Sequence, residues 1–99
     1  MNKCTINAIL RKDKINKKTG LAPVALQAFI NGNRKVIALN IYINPKYWDD
    51  VKRKVTGGPE MKSYNLVTEQ SLARANKIFV DYHLMELELT PDDFMNQLS

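Results

Sequence analysis

Cysteine is almost missing from this chain of 99 residues. The single Cys4 rules out an internal disulfide and a cysteine-rich metal site, and in its alternating apolar setting a free thiol acts as a small hydrophobe. Histidine is equally scarce, so a thiol mechanism would rest on Cys4 and the lone His83 with no third partner. Tyr42, Tyr47, Tyr64 and Tyr82 lie in strand, turn or helix contexts suited to packing. No catalytic residue, cofactor or metal site is expected. No apolar run approaches the roughly 20 residues that span a bilayer, and MNKCTINAIL lacks the apolar stretch of a secretory signal. A cytoplasmic protein without membrane contact is expected.

Acids are sparse where cations are dense. Residues 1–62 carry thirteen Lys and Arg against four acids, a net +9, while residues 63–99 carry a net −4. A basic half of this kind calls for an anionic partner. Its densest run, ILRKDKINKKTGLAPV, has a composition that suits a solvated loop as well as a phosphate-gripping one.

With 44% apolar residues the chain suffices for one core. TINAIL alternates and reads as a first strand ending near Leu10. PVALQAFI sets Val24, Leu26, Ala28 and Ile30 on one face, and KVIALNIYI does the same with Ile37, Leu39, Ile41 and Ile43. Between them Asn31-Gly32 is a strong hairpin signal. The predicted register pairs Ile30 with Asn33, Ala28 with Lys35, Leu26 with Ile37 and Val24 with Leu39. Asn44-Pro45 predicts a single helical turn that folds Trp48 back onto the sheet. VKRKVTGGPEMKS, about residues 52–62, reads as a mobile basic connector. A helix of about residues 65–86 follows, with Leu72, Ala75, Ile78, Phe79, Tyr82 and Met85 in one stripe. Thr90-Pro91-Asp92-Asp93 then opens another. The fold class expected is α+β, a three-stranded antiparallel sheet packed against one C-terminal α-helix.

That order leaves one sheet face bare, lined by Ala25, Gln27 and Phe29 and by Arg34, Val36, Ala38 and Asn40. Gln and Asn can bond bidentately to adenine, and a β-ribbon fits the major groove. The same face could instead serve an RNA-binding module, or a protein-interaction domain using the exposed sheet face.

Taken together, Leu10-Arg11-Lys12, Lys17-Lys18-Thr19-Gly20, Ala22-Pro23-Val24, Asn31-Gly32-Asn33-Arg34-Lys35, Asn44-Pro45-Lys46-Tyr47-Trp48-Asp49 and Asn65-Leu66 resemble the N-terminal arm DNA-binding domain of tyrosine recombinases, the integrases of phages and conjugative transposons. The resemblance covers nearly the whole chain. It implies a sheet laid into the major groove of double-stranded DNA at arm-type accessory sites, serving DNA integration or recombination by a mobile element. Residues 1–88 would form this domain, and residues 89–99 would begin a truncated core-binding helical domain. Catalysis would lie in other domains of the same recombinase. The fragment would be monomeric, with a parent that oligomerises on DNA. By position, Gln27 and Asn40 would read bases, while Arg11, Lys12, Lys14, Lys17, Lys18, Arg34 and Lys35 would grip phosphates. Many relatives carry Arg where Gln27 stands, and Ser-Thr-Gly where Ala38-Leu39-Asn40 stands.

Overall fold

The turn at Asn31-Gly32 takes the form its chemistry predicts. Both residues have positive φ, 49° and 88°, and Ile30 faces Asn33 across it. In the computed structural model, which describes residues 2–98, this turn joins strands β2 (Ala22–Ile30) and β3 (Asn33–Ile43). Strand β1 (Cys4–Leu10) pairs antiparallel with the other side of β2, giving a three-stranded sheet in the order β1-β2-β3. Helix α1 (Met61–Leu84) packs against it and a shorter helix α2 (Pro91–Leu98) follows, so the fold is α+β as expected.

The predicted β2–β3 register holds from Ile30–Asn33 to Ala25–Ala38 and then breaks. Val24 faces Ile41 rather than Leu39, because Leu39 and Asn40 form a bulge in β3. Asn40 takes φ 58° there, a left-handed conformation that Asn tolerates and Gly adopts without penalty. Two inserted residues preserve the alternation, so Leu39 still packs on the helix side with Val24, Ile41 and Ile43.

Asn44 accepts a hydrogen bond from the Lys46 N–H on its side-chain oxygen, 3.1 Å, and caps the single turn Pro45–Tyr47. Trp48 then folds against the second core cluster as predicted. The supposed connector is more ordered than its composition implies. Strand β4 (Trp48–Asp49) pairs with β5 (Lys54–Val55), and Val55 is buried. Gly57 and Gly58 lie against the Tyr47 ring, so closely that a Cβ on Gly57 would stand 2.7 Å from Cδ1.

Helix α1 starts four residues before the predicted Asn65. Asn is a common N-cap, but this side chain serves a strand. Asn65 Oδ1 accepts from the Val55 N–H at 2.9 Å, and Nδ2 donates to the Val55 carbonyl at 2.8 Å. Asn65→Ala is expected to lower folding stability by about 1–3 kcal/mol, since it strands both backbone groups of a buried residue. A urea-unfolding midpoint equal to wild type would show that β5 is held by other means.

Ala75, Ile78, Phe79 and Tyr82 face the main core as the stripe predicts, together with Ala28, Ile30, Leu89 and Phe94. Met85 does not, and is 56% exposed. It sits past the last helical residue, where Glu86 at φ 55° turns the chain. The Leu87 N–H bonds back to the Tyr82 carbonyl and the Glu86 N–H to the His83 carbonyl, a Schellman closure. Asn31 ties this exit to the sheet, its Nδ2 donating to the Leu89 carbonyl at 3.0 Å and its Oδ1 accepting from the Lys3 N–H at 2.8 Å.

Candidate nucleic-acid interface

Both helices pack on one side of the sheet, so pairing register assigns the other side. Paired residues share a face, and the open rows are Thr5, Phe29 and Arg34, then Asn7, Gln27 and Val36, then Ile9, Ala25 and Ala38. Sequence reasoning named the β2 and β3 members but not Thr5, Asn7 and Ile9, although the alternation of TINAIL carried that signal. Beyond these rows Tyr42 pairs with Pro23 and is 54% exposed, so it is not the packing residue its strand context implied. Ala25 is buried, because a methyl between Ile9 and Ala38 is shielded by both neighbours.

Gln27 and Arg34 meet on this face. Arg34 Nε donates to Gln27 Oε1 at 2.7 Å. With that oxygen engaged, the Gln27 amide N–H groups and the other guanidinium N–H groups of Arg34 are the donors this pair can offer a ligand. This group suits purine N7 and O6 acceptors or phosphate oxygens. Asn40 is exposed but sits in the bulge, apart from the regular rows. Lys35 pairs with Ala28 and therefore lies on the helix side of the β3 edge, opposite Arg34.

The basic loop is built around Asn16. Its backbone N–H donates to the Leu21 carbonyl at 2.8 Å, and its own carbonyl accepts from the Gly20 N–H at 2.7 Å. Its side-chain oxygen accepts from the Lys18 N–H at 2.8 Å. Gly20 completes the turn at φ 73°. Lys14, Lys17 and Lys18 are exposed and belong to none of the ion pairs among the described residues. Arg11 pairs with Asp13 at 3.4 Å and Lys12 with Asp50 at 3.1 Å. Such exposed pairs are worth about 0–1 kcal/mol, so a phosphate can displace the carboxylate.

Two groups have displaced pKa values. Burial pushes the Cys4 thiol up, which suits its place against the main core. The Asp49 carboxyl is held below its ordinary range, chiefly by the Lys52 backbone N–H, with the Val51 N–H and the charges of Lys52 and Lys54 adding to it. Among the described residues no group of three or more His, Cys, Asp or Glu side chains is placed to hold a metal ion. His83 is exposed on α1. No helix of the described residues is long and apolar enough to cross a membrane.

Comparison with curated proteins and with solved structures gives no match. The family model of the arm DNA-binding domain matches residues 8–95, from the end of β1 into α2. That stretch contains the loop cations, most of the open face and both core clusters. With a three-stranded sheet, an open face of mixed polar and apolar residues and a match over most of its length, the chain belongs to the arm DNA-binding domain family, a non-catalytic module whose partner is DNA.

Proposed function

We propose that the chain reads arm-type accessory sites for a site-specific tyrosine recombinase, the integrase of a mobile element acting on DNA in the cytoplasm. The open sheet face lies in the major groove. Gln27 and Asn40 face base edges, and Arg11, Lys12, Lys14, Lys17, Lys18, Arg34 and Lys35 neutralise phosphates, most of the affinity coming from counterion release. Helix α2 leads toward a core-binding helical domain, strand exchange belongs to a catalytic domain beyond that, and the parent assembles as an oligomer on DNA.

The observation that carries this reading is the Gln27–Arg34 pair, held at 2.7 Å on the sheet face that no helix of the described residues covers. Groove dimensions agree with it. Strands about 4.8 Å apart put the two sheet edges about 10 Å from each other, which matches a major groove about 12 Å wide. The major groove of A-form RNA is too narrow to admit such a face.

Replacing both Lys17 and Lys18 by Ala is expected to weaken binding to every duplex and to lower the log–log salt slope by about 0.9 for each phosphate no longer neutralised. Gln27→Ala is expected to leave that slope in place and relax sequence preference. Competition with duplex RNA of the same sequence completes the test. Equal affinity for DNA and RNA, or an unchanged slope in the double variant, would contradict the proposal.

A further inference from the structure

One cationic element has no role in the reading so far, the β4–β5 turn with Lys52, Arg53 and Lys54. Two contacts fix where it stands. Arg53 Nη1 donates to the Ala8 carbonyl at 3.2 Å, and Lys12 Nζ pairs with Asp50 at 3.1 Å. The Arg11 N–H and the Lys3 carbonyl bond across to the β2 side. By the alternation of an antiparallel ladder, the carbonyl of even-numbered Ala8 therefore points to the free edge of β1. The turn thus lies along that edge and beside the 3-10 turn Lys12–Lys14.

The turn is also organised internally. Asp49 Oδ1 accepts from the Val51 and Lys52 N–H groups, each at 2.8 Å. Arg53 takes φ 54° to close it. Lys52 and Lys54 are exposed, and neither side chain donates a hydrogen bond among the described residues. Cations therefore border both edges of the sheet, Lys12, Lys52 and Lys54 beside β1, with Arg34 and Lys35 on β3. When the strands run along the major groove, its two phosphate walls fall beside these two edges.

We propose that the β4–β5 turn is a second phosphate grip, in which Lys52 and Lys54 hold the DNA backbone bordering β1 while Arg34 and Lys35 hold the opposite one. The inference rests on the sheet-in-groove reading. Arg53 positions the turn through Ala8. Asp50, beside Lys12, opposes the grip and sets an upper limit on its strength.

The test uses the full chain and a mixed-sequence DNA duplex, titrated across salt concentrations. The double variant Lys52→Ala/Lys54→Ala is expected to lower the log–log slope by about 0.9 for each phosphate it releases. Asp50→Asn is expected to tighten binding at low salt. Lys62→Ala, at the exposed start of α1, is expected to keep the wild-type slope. If Lys17→Ala/Lys18→Ala lowers the slope and Lys52→Ala/Lys54→Ala does not, the second grip is wrong and the sheet-in-groove reading stands. A wild-type chain whose duplex binding shows no salt dependence removes both.

Discussion

Phe94→Ala is expected to cost about 3–5 kcal/mol of folding stability, the range for a large aromatic removed from a packed interior. Phe94 is 0% exposed, and its ring stacks on Phe79 with centroids 5.2 Å apart. It belongs to the same cluster as Ala28 and Ile30 of the sheet and Leu89 of the connection between the helices. Local sequence delivers it there. Thr90 Oγ1 accepts the Asp93 N–H at 3.1 Å, Pro91 occupies the first helical position, and Asp92 and Asp93 face the positive end of the helix dipole. Arg74 holds the far end through the Leu98 carbonyl. A small domain has about 5–15 kcal/mol in total, so the variant is left close to unfolding. Guanidinium unfolding measures this directly. A midpoint unchanged from wild type would mean that α2 contributes nothing to this core.

Much of this core was readable from the sequence, and the parts that were not have identifiable causes. Alternation in PVALQAFI and KVIALNIYI, together with Asn31-Gly32, sufficed for the face assignment and for the register as far as Ala25–Ala38. The bulge was hidden because two inserted residues leave the alternation intact, and Asn40 read as one more polar position on a strand. The β4–β5 hairpin was hidden because two-residue strands are too short to show a period, and only buried Val55 betrays it. The helix was expected to start near Asn65, whereas it starts at Met61 and the Asn65 side chain bonds a neighbouring strand, a contact no local pattern announces. Leu89 and Phe94 read as the head of a following domain, and their packing on the sheet and α1 shows only in the tertiary contacts.

On the candidate interface the sequence was less complete. Composition alone pointed to the loop cations, but while Arg11 pairs with Asp13 two residues away, setting Lys12 beside a carboxylate depends on tertiary placement. Asp50 is 38 residues from Lys12 in the chain. The Gln27–Arg34 bond requires the hairpin register, and Lys35 falls on the helix side through the same register.

The central claim is that the open sheet face enters the DNA groove, and Ala38→Glu tests it most directly. Ala38 is exposed and pairs with Ala25, so a glutamate there reaches outward without entering either core cluster. On bound DNA that carboxylate would sit among phosphates and base acceptors. Such like-charge juxtaposition costs several kcal/mol, on the order of a hundredfold or more in affinity. Gln70→Glu supplies the control, since it adds the same charge on an exposed position of α1. Both variants alter the net charge equally, so any difference between them comes from position. In a salt-controlled duplex-binding assay, Ala38→Glu is predicted to lose on the order of a hundredfold and Gln70→Glu to stay within about twofold of wild type. Equal affinities for the two variants would contradict the account and place the DNA elsewhere on the molecule.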